Sequence, residues 1–538
     1  MKSSIIKMNV TAAMLFLVLP FLCFAGGGSQ RQSGSSANTF TVFAGINPLS
    51  PDNSQKPIVQ QMNQAMEVNI NWNCVTTDML TERKNLILGT NDLPDAFMGA
   101  DLTDYELITY GGDGVFIPLN KYINAQTMPN LMKILEQRPG ALAAVTMPDG
   151  NIYSLPRFEE MGIKYKDGKT YGIGAIPQFT VINQDWLNKL GLKMPATIDE
   201  FHDVLLAFKT RDPNGNGRAD EIPLTFIYEH WCAGMTSFFS AFGFTDYNEN
   251  HRALVGDKVY YNAMRNEYRD AIRYFSQWFK EGLIDVEVFS QDDSQYIAKG
   301  KGTNVIVGSY VWWEIPEVVG YDRASMYTYL SFLSNATGSL NVNLNEQGTI
   351  AYGSFAVTRA CKNPELLLKW VDQVYEPKMS MQALYGPIGV FFESQPDSKG
   401  VYINKNPPVG TTEGELKAMN ELLGPVAQLS EHYGTIYYME DRAQERLNDL
   451  SSFWFNKVTD FNYYPSVIFT MPESEILNDK LTDIKSYTSE MTAKWLMNGG
   501  VDQEWDAYIT QLRRMGIDDV VKAWQSAYDR YKVNQKVQ

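Results

Sequence analysis

The chain has 538 residues, enough for about two to four domains with large cores, and is 44% hydrophobic and 20% charged, an ordinary globular balance. Its net charge of −16 argues against a partner read through its phosphates, so no nucleic-acid partner is expected. The aromatic load is heavier than usual, with 30 Tyr, 27 Phe and 11 Trp. Such side chains fill cores, and Trp and Tyr also offer flat amphipathic faces to sugars or peptides.

Residues 1–25 read as a secretory signal peptide. Lys2 and Lys7 precede an apolar run that ends at Cys23-Phe24-Ala25, a small-x-Ala cleavage site. The protein is therefore expected outside the cytoplasm, periplasmic or on the cell surface. Cleavage after Ala25 gives the soluble form, the preferred reading, whereas cleavage before Cys23 gives a lipoprotein with Leu22 ahead of the modified thiol. Residues 26–38 are Gly/Ser/Gln-rich and read as a flexible tether. The remaining thiols, Cys74, Cys232 and Cys361, have neither metal-ligand nor disulfide-framework spacing and are expected to be buried and free.

From residue 39 the pattern is strand (39–43), helix (57–66), strand (67–72), helix (81–88) and strand (93–98), the alternation of a parallel α/β unit. A strand at 179–183 and a short helix at 184–190 follow. The next helix opens on a capping box, Thr197 with Glu200, and carries Phe201, Val204, Leu205 and Phe208 on one face. A further amphipathic helix is expected at 268–280, stopped by Gly282, and a buried strand at 304–307. Two strand-like runs lie in 338–357, and the last two hundred residues are largely helical.

Between the capped helix and the next strand runs DPNGNGRADE, residues 212–221. Asp212, Asn214 and Asn216 alternate, so their side-chain oxygens can converge where Gly215 and Gly217 let the backbone coil. The spacing matches the opening of a calcium loop, with Arg218 offering its carbonyl and Asp220 a further carboxylate. Position 12 of that pattern is Pro223, leaving Glu221 as the nearby acid that could replace the usual Glu. Calcium, in a structural role, is the cofactor expected. The alternative is a polar turn, which Asn-Gly repeats mark in any case.

The order of these segments resembles the family-1 extracellular solute-binding proteins of bacterial ABC importers. The branch is the one that includes LipO-type lipoproteins and alginate-binding proteins. The resemblance rests on NLILGTNDLPDA (85–96), DGNIYSLP (149–156), NQDWLNKLGL (183–192), residues 212–223, EGLID (281–285), and the span from WDAY (505–508) to AYDR (527–530). It implies an α/β, two-lobed clamshell of the type II periplasmic-binding-protein kind with a helix-rich C-terminal part. It implies about three hinge crossings, placed near 155–178, 298–305 and 353–358. The N-terminal lobe would then be 39–155 plus 305–353, and the C-terminal lobe 156–304 plus 358–538, carrying the calcium loop.

It further implies a monomer that captures a small solute, an oligosaccharide by preference, and hands it to an ABC transporter permease. With four His and no HExxH, GxSxG or Walker loop, no enzyme is expected. His230 and Cys232 read as a packed pair. The alternatives are a secreted hydrolase or lyase with paired carboxylates, or a binding protein feeding a membrane receptor. Ligand contacts are expected at strand ends and hinge crossings. Arg157 follows the first crossing. Tyr310, Trp312 and Trp313 follow the strand at 304–307, and adjacent Trp residues cannot both point inward. Tyr228 and Trp231 complete the candidate set.

Overall fold

The computed structural model describes residues 38–537 except 139, 165–169, 248–249, 339, 341, 343, 345–349, 410 and 458–462. The signal peptide with Cys23, and the tether up to residue 37, lie outside the described residues.

The strand Thr39–Ile46 pairs in parallel with Asn69–Thr76 from Thr39↔Asn69 to Ile46↔Thr76, and with Ala96–Met98 on its other side. Parallel neighbours need a crossover, which the helices Pro57–Met66 and Leu80–Thr90 supply. Pro57 opens the first of these, where its missing N–H costs nothing, and Ile58, Val59 and Met62 give its buried face. The strand Ile350–Val357 enters antiparallel between Ala96–Met98 and Leu155–Glu159, and Ala427–Gln428 closes the edge of a six-stranded sheet.

A second sheet has four strands in the order Tyr327–Leu330, Phe179–Asn183, Val307–Trp312, Ile222–Thr225. Phe179–Asn183 runs antiparallel to its neighbours, and the other three strands share one direction. The capping box forms as expected, with the Glu200 N–H donating to Thr197 Oγ1 and the Thr197 N–H to Glu200 Oε2, both at 3.2 Å. It starts the helix Ile198–Thr210, whose Phe201, Val204, Leu205 and Phe208 are buried. The helices Asn266–Lys280, Met471–Asn498, Val501–Met515 and Ile517–Val537 pack with it. Tyr261 and Tyr508 meet Thr488, and Tyr268 meets Thr492, which satisfies buried hydroxyls along that contact.

Each sheet keeps its own hydrophobic core. Leu367, Trp370, Tyr385 and Tyr437 pack with Phe40, Val42 and Leu155 around the six-stranded sheet. Phe179, Tyr310, Leu450 and Trp454 belong to the cores of the four-stranded one. This corrects the expected division of the chain. Residues 307–330 pair with 179–183 and 222–225 and so belong with the second sheet, and much of 358–437 packs on the first. The passages between sheets fall after Leu155–Glu159, after Tyr327–Leu330, and between Ala427–Gln428 and the helix Asp441–Asp449. Strand pairing is a long-range choice, and one strand's own residues do not name its neighbour.

Candidate functional site

The three strands of the four-stranded sheet that share a direction end at the same edge, at Thr225, Trp312 and Leu330, with the start of Phe179–Asn183 between the last two. Open α/β sheets gather ligands at such ends. The loop after Thr225 turns tightly, with the His230 N–H donating to the Ile227 carbonyl at 3.1 Å and the Ile227 N–H to the Ala233 carbonyl at 2.9 Å. Cys232 is buried beneath it, while Trp231 stands 60% exposed. The expected His230–Cys232 pair is indeed packed, Sγ to Nδ1 at 3.6 Å.

Across from that loop, Trp312 is buried in a stack of three rings. His230 lies 5.4 Å from it with planes 9° apart, and Tyr296 lies 5.5 Å away on a 29° tilt. Its indole N–H donates to Glu317 Oε2 at 2.8 Å. Trp313, one residue on, is half-buried and turns its ring toward Trp231, centroids 6.2 Å apart. The strand runs to 312 and not to 307, so Tyr310 and Trp312 point to one face inside the sheet and only Trp313 clears its end.

Two arginines of the helix Asp441–Asp449 complete the wall. Arg442 donates to both oxygens of Glu314, with Nη2 at 3.0 Å from each, and to Glu317 Oε1 at 2.7 Å. Its guanidinium also sits 5.2 Å from the centre of the Trp313 ring. Arg446 donates to the Trp313 carbonyl at 2.6 Å. Burial raises the Glu314 carboxyl above its ordinary range although Arg442 pulls the other way. Burial and the neighbouring Glu445 push Asp449 up to about 6. Glu413 is raised by burial and by Glu440. It opens the helix Glu413–Asn420, whose Leu416 packs in the first-sheet core, and Arg442 is among its charged neighbours. Burial lowers His230, with Asp293 opposing.

The other candidates are placed elsewhere. Tyr310 is 0% exposed and donates its hydroxyl to the Ile315 carbonyl at 3.0 Å, so it is a core residue and not a ligand contact. Tyr228 packs on Phe289, centroids 5.0 Å apart, and its hydroxyl reaches the Ser489 carbonyl of the long helix at 3.4 Å. Arg157 lies on the first sheet, its guanidinium taken up by Glu159 and by the Gly424 carbonyl at 2.8 Å. Sequence reading missed Arg442, Arg446, Glu314 and Glu317. The run EDRAQER resembles any solvated helix face, and its partners lie some 130 residues upstream.

The loop 212–221 coils as its spacing requires, with Asp212, Gly215 and Gly217 at φ +44°, +72° and +73°. Asp212 Oδ1 accepts from the Asn216 N–H at 3.1 Å and its Oδ2 from the Gly217 N–H at 3.0 Å. Asn214 Oδ1 accepts from the Asn216 N–H at 3.0 Å, and Asn216 Oδ1 from the Arg218 N–H at 2.8 Å. Asp220 accepts from both Asn amides. Burial raises the Glu221 carboxyl, with Asp212 and Asp220 adding repulsion, and its Oε1 is buried without a hydrogen-bond partner. Hard oxygen donors with this surplus of negative charge fit a calcium ion.

These features define a class: an α/β clamshell of two lobes, each built on its own sheet and core. No family model matches the chain. The fructooligosaccharide ABC transporter substrate-binding protein FusA of Streptococcus pneumoniae serotype 4 is 35% identical over 504 residues, covering 92% of this chain and 91% of that one. The structure of FusA in complex with kestose matches with a TM-score of 0.82 at 34% identity, over 92% of this chain and 100% of that chain. That of a FusA EF-hand mutant with fructo-nystose matches with a TM-score of 0.81 at 34% identity and the same coverage. Lipoprotein LipO of Bacillus subtilis is 25% identical over 313 residues, 56% of this chain and 57% of that one. The chain belongs to the substrate-binding proteins of ABC transporters, which work outside the cytoplasm.

Proposed function

We propose that this protein captures a fructose-based oligosaccharide between its lobes and delivers it to an ABC transporter permease, acting as a monomer and not as an enzyme. One observation carries the reading: an exposed Trp231 faces Trp313 at the end of the second sheet, with Arg442 and its carboxylates alongside. Aromatic faces ringed by fixed hydrogen-bonding groups suit sugar rings. The similarity to FusA supports fructooligosaccharides within that class. Trp231, Trp313, Arg442, Glu314 and Glu413 are the contacts assigned. A ligand touching both lobes favours the closed form only through contacts made there, and the permease reads that form. Chain passages after residues 159, 330 and 428 serve as the hinge.

Calcium is assigned to the loop, held by Asp212, Asn214, Asn216, Asp220 and Glu221 with the Arg218 carbonyl. When bound, it would neutralise the carboxylates and brace the turn between the helix Ile198–Thr210 and the strand Ile222–Thr225. Attachment to the membrane through Cys23 is the finer form of the extracytoplasmic placement, and mass spectrometry of the exported protein would detect the lipid.

The deciding experiment is calorimetric titration with kestose and nystose, with maltotriose as comparator. Saturable one-to-one binding of the fructose series is expected, with no new reducing ends after prolonged incubation. Binding of maltotriose alone, or hydrolysis of kestose, would sink the proposal.

A further inference from the structure

Arg446 lies one helical turn beyond Arg442 and is only 5% exposed. Among the described residues it has no carboxylate within ion-pair distance. Its guanidinium is instead spread over three main-chain carbonyls: Trp313 at 2.6 Å from Nη1, Ile173 at 3.3 Å from Nε and Ile176 at 3.5 Å from Nη2. It also stands 4.3 Å from the centre of the Phe179 ring and 5.3 Å from that of Trp313. Burying a cation without a counter-ion is expensive. Carbonyl dipoles and ring faces hold it in direct contact, Glu314 and Asp449 favour its charge from farther off, and burial outweighs them and pushes its pKa down to about 10.

The partners come from separate parts of the chain. Ile173 and Ile176 belong to the first passage between the sheets, ahead of Phe179–Asn183. Trp313 is the exit of the central strand Val307–Trp312, and Arg446 itself follows the last passage. The Trp313 carbonyl is thus held from the helix Asp441–Asp449. Displacing the Trp313 ring therefore means pulling its carbonyl off Arg446, and moving either passage moves the guanidinium.

We propose that Arg446 is a positioning residue of the ligand site, fixing the Trp313 main chain and ring and tying their position to two of the segments that cross between lobes. The proposal deepens the sugar-binding reading and rests on it for the role of Trp313. A lysine could keep one of the three carbonyls, and a methionine none, although both fill most of the volume.

The test uses the full mature chain labelled with 5-fluorotryptophan, the Trp313 fluorine resonance being assigned through Trp313→Phe. Arg446→Met is expected to shift or broaden that resonance and to raise the kestose Kd about 10-fold or more. Arg446→Lys should restore part of both. Arg273→Met is the control, an arginine engaged with Asp270 and Asp502, and should move neither. An unmoved Trp313 resonance in Arg446→Met, or an unchanged Kd, overturns the proposal. If the parent binds no kestose, the sugar reading fails on its own, and the fluorine spectrum alone decides whether Arg446 positions Trp313.

Discussion

Arg138 forks onto Glu160, with Nε at 2.6 Å and Nη2 at 2.7 Å, and shares Nη2 with Glu431. Glu160 in turn accepts the Ser430 N–H at 3.0 Å. One guanidinium thus gathers the segments that leave the six-stranded sheet after Leu155–Glu159 and Ala427–Gln428. Arg138 and Glu160 are mostly sheltered from water whereas Glu431 is 46% exposed, so removing the guanidinium strands the Glu160 carboxylate. Arg138→Ala is expected to cost about 2–3 kcal/mol in urea unfolding, and a loss below about 0.5 kcal/mol would show the fork to be ornamental.

Trp231 and Tyr310 make opposite predictions. Trp231 is mostly exposed, so Trp231→Ala should change stability by less than about 0.5 kcal/mol while weakening kestose binding about 10- to 100-fold. Tyr310→Phe should lose about 1 kcal/mol with its hydroxyl bond to Ile315 and leave the kestose Kd alone. Paired melting and titration curves of the two variants check this, and the reverse pattern would exchange their roles.

Two half-buried histidines, His230 and His251, pull stability in opposite directions with pH. His230 binds its proton less readily folded than unfolded, because burial outweighs Asp293. Its contribution is intact above the ordinary value of 6.5 and falls as the pH drops through it, when the unfolded chain takes the proton first. At His251 burial opposes the proton, but Asp246, 2.6 Å away, prevails and the net shift is upward. That contribution is present below 6.5 and is lost as the pH rises through the folded value. His230→Gln should therefore flatten the loss of stability toward acid, and His251→Gln should remove a loss toward neutral pH. Urea titrations at about pH 5 and 7.5 give both slopes.

Calcium should raise the melting temperature, by the equivalent of about 2.7 kcal/mol at a hundredfold excess over Kd. Asp212→Ala should abolish the response. In a chelator, Glu221→Gln is expected to stabilise slightly, since burial and its acidic neighbours already oppose the Glu221 charge. In calcium the same variant should be less stable than the parent. A chelator that leaves the parent's melting curve unmoved would remove the metal from the loop.

Sequence reading reached individual elements more surely than their partners. The helix Ile198–Thr210 was legible because its cap and its apolar stripe lie within one short window. The strand expected at 304–307 is Val307–Trp312, a shift of a few residues that moved Tyr310 and Trp312 from the rim into the sheet. Both rings are apolar enough to sit in either place, so no local pattern separated the two outcomes. Arg442 gave no signal at all, since only the fold brings Glu314 to it.

Periodicity, capping and turn chemistry act over a few residues, and by themselves they determined the α/β character, most helices and the oxygen-rich loop at 212–221. The tertiary structure decided which sheet each strand joined, which of two adjacent tryptophans faced outward, and which arginines stood beside it. Those choices turn on contacts between residues from about thirty to well over a hundred positions apart, where the cost of closing the chain and the burial of whole faces outweigh local preference.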